Sequence, residues 1–188
     1  MVSTSDFKKG LKLLIDDQPY AIVDFQHHKP GKGNAITRTK LKNLITGSGL
    51  EKTIKSGEKF PVPDVEYVDM NFLYGDDTGY HFMNQSNYEQ MSLADDLIGD
   101  DKFYLIENME VKICLFNERA ISIELPNTVN LEVSQTDPGL KGNTVTGATK
   151  PATLQTGLVV HVPLHISEGD LLKVDTRTGE YLERTSKK

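Results

Sequence analysis

A chain of 188 residues has room for one large domain or for two to three small β domains, and length alone does not choose between them. A hydrophobic share of 37% and a charged share of 26% put it among soluble globular chains, and the single cysteine, Cys114, excludes an internal disulfide. A net charge of -6 argues on average against nucleic acid, yet the charge is segregated: residues 1–63 hold 11 Lys and Arg against 6 Asp and Glu, residues 64–127 hold 3 against 14, and residues 128–188 hold 7 of each.

Taken in chain order, Met1 to Gly10 has no apolar targeting segment, and no later stretch approaches the ~20 apolar residues that span a bilayer. A cytoplasmic protein with no membrane partner is expected. Tyr20 to Phe25 alternates as a strand, and Asn34 to Thr39 begins a second that extends to Lys42. Between them lies the compact turn His27-His28-Lys29-Pro30-Gly31-Lys32-Gly33-Asn34. Pro30 presets φ, and Gly31 is expected at φ > 0, the pair forming the centre of a type II turn. Lys32 then sits at the tip, between two glycines that give its side chain nothing to pack on. Read from these residues alone, a solubilising turn lysine and a functional amine both remain open. In the second strand Arg38, Lys40 and Lys42 fall on one face. A basic stripe below a basic tip is the footprint of an RNA-backbone contact.

Pro61-Val62-Pro63 breaks the chain after this basic part, because proline cannot donate to a central strand ladder. The acidic part that follows holds Tyr67, Phe72, Tyr74, Tyr80, Phe82 and Tyr88, read here as core and domain-contact residues. A short helix is expected over Leu93 to Ile98, capped by Ser92 and ended by Gly99. The pairs Asp76-Asp77, Asp95-Asp96 and Asp100-Asp101 read as solvated surface. Val111 to Phe116, which includes a buried Cys114, and Ala120 to Leu125 are strands, and Pro126 marks the next break. Leu158 to Val162 is a further strand. The result is a mostly β chain of three pieces, 1–63, 64–127 and 128–188.

Enzyme signatures are lacking. Gln26 stands where a phosphate-binding loop needs its first glycine, and Gly33 follows Lys32 in place of Ser or Thr. His161 and His165 have Pro163 between them and no partnering cysteine, so neither a metal nor another cofactor is expected.

The run Lys29-Pro30-Gly31-Lys32-Gly33-Asn34-Ala35, followed by Arg38-Thr39-Lys40-Leu41-Lys42-Asn43-Leu44, resembles the first-domain signature of the bacterial elongation factor P family. A second block resembles its third-domain signature: Thr136-Asp137-Pro138-Gly139-Leu140-Lys141-Gly142, then Lys150-Pro151-Ala152-Thr153-Leu154 and Thr156-Gly157. Gly10-Leu11, Val68-Asp69-Met70, His81-Phe82-Met83-Asn84 and Lys173 to Tyr181 extend the similarity over nearly the whole chain.

The resemblance implies an all-β molecule, an SH3-like (KOW-type) barrel followed by two OB-fold barrels, shaped somewhat like a tRNA. It implies a monomeric translation elongation factor that binds the ribosome between the P and E sites and promotes peptide-bond formation at consecutive prolines. Lys32 matches the residue that a modifying enzyme extends, with β-lysylation favoured. The extended side chain approaches the P-site peptidyl-tRNA, flanked by Lys29, Pro30, Gly31, Gly33, Arg38, Lys40 and Lys42. Gly142-Asn143-Thr144 matches a loop that approaches the E-site mRNA codon, with Asn143 in place of the usual Asp. Tyr181 and Arg184 match positions near the tRNA anticodon stem. Two alternatives stand beside this reading: a paralogue acting unmodified on other stalling motifs, and a generic OB-fold protein binding single-stranded RNA.

Overall fold

The computed structural model describes residues 1–139 and 147–186. Its backbone contacts divide the chain into two compact units, Met1–Val68 with Ile113–Ser122, and Asp69–Lys112 with Ile123–Lys188. The division runs through strands, so chain order is the clearer guide to the architecture.

The N-terminal part holds β1 (Val2–Ser3), β2 (Lys12–Ile15), β3 (Gln18–His28), β4 (Ile36–Asn43), β5 (Gly49–Lys55) and β6 (Lys59–Phe60). β2, β3, β4 and β5 form one antiparallel sheet in that order, and β1 pairs with β6. Burial of apolar side chains drives this SH3-like barrel together. Leu13, Ile22, Leu41 and Ile54, one from each strand of the sheet, meet Phe7, Ile15 and Phe60 in its core. Register is pinned by the turns. Ile15 pairs with Gln18, leaving Asp16 and Asp17 as a two-residue loop with both φ values positive, 51° and 60°. That is the type I′ geometry whose twist matches the flanking strands. At the other end of β4, the Asn43 carboxamide oxygen accepts from the amides of Ile45 and Thr46 at 2.8 and 3.0 Å, which closes the turn into β5.

Next come β7 (Glu66–Asp76), β8 (Gly79–Asn84), β9 (Gln90–Leu93), helix α1 (Asp95–Ile98), a 3-10 segment (Gly99–Tyr104), β10 (Glu110–Phe116) and β11 (Arg119–Glu124). The five strands form one sheet in the order β11, β10, β7, β8, β9. The last module contains β12 (Thr128–Thr136), β13 (Thr149–Leu154), β14 (Val159–Pro163), β15 (Leu171–Asp175) and β16 (Tyr181–Ser186), ordered β14, β13, β12, β15, β16. Both are five-stranded OB-type barrels. Leu131, Leu154, Val162, Ile166, Leu172 and Val174 are buried in the second of them.

The expected strands are present, β3 running longer than the expected segment, and Pro61 to Val65 and Pro126 to Asn127 lie outside strands. The helix differs from expectation. It begins at Asp95, with Ala94 at its N-cap, and Ser92 belongs to β9. The Ser92 hydroxyl cannot cap because it is bonded across the sheet to His81 Nδ1 at 2.7 Å, and His81 is its register partner. The middle aromatics are also corrected. Phe72 and Phe82 are core, with ring centroids 5.4 Å apart, but Tyr67, Tyr74 and Tyr88 are 48%, 53% and 71% exposed.

Candidate nucleic-acid interface

The β3–β4 hairpin carries the predicted tip. Its ladder runs from Tyr20↔Asn43 to Ile22↔Leu41, then resumes at Asp24↔Lys40 and ends at His28↔Ile36. Val23 is therefore an extra residue, a β-bulge that bends and twists the strand without losing the pairing. Beyond it Phe25 packs half-buried against the core, and His27, two residues on, stays exposed beside it. Phe25 meets Phe7 edge-on with centroids 6.2 Å apart, and meets His27 at 5.3 Å. His27 Nδ1 lies 2.9 Å from Oγ1 of Thr37, its register partner and a buried residue. These contacts brace the hairpin a few residues from its tip. Sequence reasoning passed over His27, because its pairing with Thr37 follows from a ladder shift that the sequence does not show.

The loop from residue 29 to residue 35 joins the strands. Gly33, at φ 117°, supplies the reversal that was expected of Gly31, which does not lie at positive φ. The turn is thus centred later than a Pro30-Gly31 type II turn would be. Lys29, Gly31, Lys32 and Gly33 are exposed and Pro30 is half-buried. No hydrogen bond or ion pair joins Lys32 to any described residue, and a side chain added at Gly31 would meet open space.

Along β4 burial alternates strictly: Thr37, Thr39, Leu41 and Asn43 face in, and Arg38, Lys40 and Lys42 face out. The outer face is not uniformly basic. Asp24 stands opposite Lys40 on β3, and Glu51 stands opposite it on β5, with its carboxylate 3.9 Å from the ammonium. Gln26, Arg38, Thr53 and these three charged residues line a hollow of about 450 Å³. Arg38 and Lys42 have no acidic partner within ion-pair distance among the described residues.

The structure places the C-terminal candidates differently. Tyr181 is half-buried and pairs with Val174, and Arg184 reaches Asp170 across the β15–β16 edge, Nη1 to Oδ2 3.6 Å. Asp170 is buried and also accepts the Ser167 amide at 2.9 Å, so the Arg184 guanidinium neutralises a buried carboxylate. Gly142, Asn143 and Thr144 lie outside the described residues.

On the middle barrel Asp76 collects three donors: the Thr78 hydroxyl at 2.6 Å, the Thr78 amide at 2.8 Å and His81 Nε2 at 3.0 Å. These hydrogen bonds, the Thr78 hydroxyl first, lower its pKa to about 2. The His81 ring stacks on Tyr74, centroids 4.5 Å apart. Among the described residues no group of His, Cys, Asp and Glu is arranged to hold a metal ion, and no helix is long and apolar enough to cross a membrane.

Comparison with known proteins covers all three modules. The family model for the elongation factor P KOW-like domain matches residues 3–60. Models for the elongation factor P OB domain and for its C-terminal part match residues 65–123 and 129–184. The chain is 60% identical to elongation factor P of Bdellovibrio bacteriovorus over the full length of both. It is 53% identical to that of Maridesulfovibrio salexigens, covering 98% of this chain and 99% of the other. Among solved structures, a protein titled eukaryotic translation initiation factor 5A from Methanococcus jannaschii aligns with a TM-score of 0.50 at 24% identity. That match covers 66% of this chain and 90% of the other, and it shows a shared fold.

Proposed function

The chain belongs to the elongation factor P family of translation elongation factors, and on that basis we propose that it positions peptidyl-tRNA on the ribosome through Lys32. The supporting observation is the Lys32 ammonium itself, exposed and without a partner at the end of a braced hairpin. Bound between the P and E sites, the factor extends this side chain toward the CCA end of a peptidyl-tRNA stalled at consecutive prolines. Proline is a constrained, poor nucleophile, and restoring a reactive geometry recovers part of the entropic barrier. The ribosome carries out the chemistry and this chain supplies no catalytic group.

An ammonium held clear of neighbouring side chains is also accessible to a modifying enzyme, and β-lysylation is the modification we favour. It would lengthen the reach and add cationic donors for phosphate. The loop around Asn143 would approach the E-site codon. Tyr181 would approach the tRNA stem, whereas Arg184, committed to Asp170, has a structural task to reconcile with an RNA contact.

Lys32→Ala tests the reading. A tip side chain supports no core, so stability should change by less than about 0.5 kcal/mol. Rescue of a proline-run reporter should be lost. Wild-type rescue by this variant would overturn the role given to Lys32, and intact-mass measurement of the native protein reads the modification directly.

A further inference from the structure

Three adjacent strands of the middle barrel bring a carboxylate, an imidazole and a hydroxyl into line. Asp76 ends β7, His81 lies on β8 and Ser92 on β9, with β8 between the other two in the sheet. Asp76 pairs with Gly79, so Thr78 sits in the turn between them and its hydroxyl donates to the carboxylate. His81 Nε2 lies 3.0 Å from Asp76 Oδ1, and Nδ1 lies 2.7 Å from Ser92 Oγ. Both spacings suit a nucleophile, its base and the group that orients the base.

The protonation states follow from the acid. With its pKa lowered to about 2, Asp76 is ionised at neutral pH and can only accept hydrogen bonds. Nε2 of a neutral His81 therefore carries the ring proton and donates to Asp76. Nδ1 is left as the acceptor, and the Ser92 hydroxyl donates to it. The sheet adds a second feature. The Asn84 amide donates to the Glu89 carbonyl, and hydrogen-bonded and non-hydrogen-bonded pairs alternate along the ladder, so His81 and Ser92 form a non-hydrogen-bonded pair. Their side chains are drawn close, and the Ser92 amide points away from β8. β9 ends the sheet, and no described residue accepts that amide. Ser92 is exposed, whereas the imidazole, stacked on Tyr74, is only 14% exposed.

We infer that Ser92, His81 and Asp76 form a nucleophilic site in which Ser92 Oγ takes the acyl group of an uncharged carboxylic ester. Oγ attacks the ester carbonyl carbon as its proton passes to His81 Nδ1. The Ser92 amide donates to the oxyanion that forms, as the nucleophile's own amide does in serine hydrolases. The ester C–O bond then breaks, the alcohol leaves with the proton from Nδ1, and Ser92 stays acylated. Water attacking the acyl group by the same proton path regenerates the hydroxyl and releases the acid. The surroundings specify an uncharged ester: residues 64–127 hold 14 acidic residues against 3 basic ones, a field that repels an anionic donor. The site is independent of Lys32 and of peptide-bond formation, to which the chain contributes no catalytic group.

The test incubates the full chain, as wild type, Ser92→Ala, His81→Gln and Asp76→Asn, with p-nitrophenyl acetate. Release of p-nitrophenolate is followed, peptide mass spectrometry locates the acetyl group, and circular dichroism checks the fold of each variant. Wild type should carry acetyl on Ser92. His81→Gln keeps hydrogen-bonding groups beside Ser92 but removes the base, so acetylation of Ser92 should slow by about 100-fold. Asp76→Asn releases the ring tautomer and should slow it by at least about 10-fold. A wild-type rate of Ser92 acetylation in His81→Gln overturns the proposal. If a variant does not fold, wild type decides alone: acetyl groups on lysines with none on Ser92 overturn it equally. An ester whose acyl group carries a carboxylate should react more slowly, and equal rates would overturn the assignment to uncharged esters.

Discussion

Two glycines and one aspartate show how differently residues of one kind are constrained. Gly79 has φ 132°, and a Cβ there would come within 2.5 Å of the Leu93 carbonyl oxygen. Gly31 has neither constraint. Gly79→Ala should therefore cost about 1–3 kcal/mol or more, while Gly31→Ala should stay within about 0.5 kcal/mol; denaturant unfolding of both distinguishes them. The exposure of Lys32 is legible in Gly31-Lys32-Gly33, because flanking glycines offer no packing. Which glycine makes the reversal is not legible, since both are free to take positive φ and the ladder decides. The pKa of Asp76 is lowered from 3.8 to about 2, mainly by the Thr78 hydroxyl, with His81 adding to it. A depressed folded pKa means that its contribution to stability is complete above the unfolded value and is lost as pH falls through about 2. Thr78→Ala removes the largest cause, so the Asp76 carboxyl titration followed by NMR should move up toward 3.8. A midpoint that stays at about 2 would assign the shift to His81 and the Thr78 amide, which both remain.

At the scale of elements, alternation in the sequence is enough to locate the strands and to place Arg38, Lys40 and Lys42 on the outer face of β4. It does not show the bulge. Ile22 and Phe25 both face inward although they are three apart, a phase break that Val23 absorbs by standing out of the ladder. The same break occurs on β7, where Phe72↔Phe82 is followed by Tyr74↔His81, and it carries Tyr74 outward. That is why the aromatics of the acidic segment could be counted from the sequence but not sorted into core and surface. Ser92 was misjudged for a related reason: its claim on a helix N-cap is local, whereas its bond to His81 depends on sheet register. Deleting Val23 should leave a regular β3–β4 ladder with the same residues facing in, so the N-terminal core and its thermal midpoint should largely survive. The bend at the base of the arm would be lost, which re-aims the loop that carries Lys32. Reporter rescue at proline runs should fall while folding is retained; full rescue by the deletion variant would show that the bulge does not aim the tip.

For the whole molecule, the segregation of charge is readable from residue counts, and the partnering of those charges is not. The basic N-terminal part contains Asp24 and Glu51, which come to stand opposite Lys40 only after β3, β4 and β5 pair, Glu51 pairing with Lys40 and Asp24 with Lys9. This partnering orders the expected contributions to RNA affinity. Exposed ion pairs contribute little to stability, yet a lysine paired with a carboxylate, as Lys40 is with Glu51, presents less net charge to a phosphate than an unpaired one. Arg38→Gln and Lys42→Gln should each lower the salt slope of ribosome binding by about 0.7–0.9, and Lys40→Gln should lower it by less. Glu51→Gln should act in the opposite direction, because it frees Lys40 to contact the backbone, raising both the affinity at low salt and the slope. Equal effects of the three basic substitutions, or no gain from Glu51→Gln, would mean that RNA approaches the hairpin along a face other than the one formed by Arg38, Lys40 and Lys42.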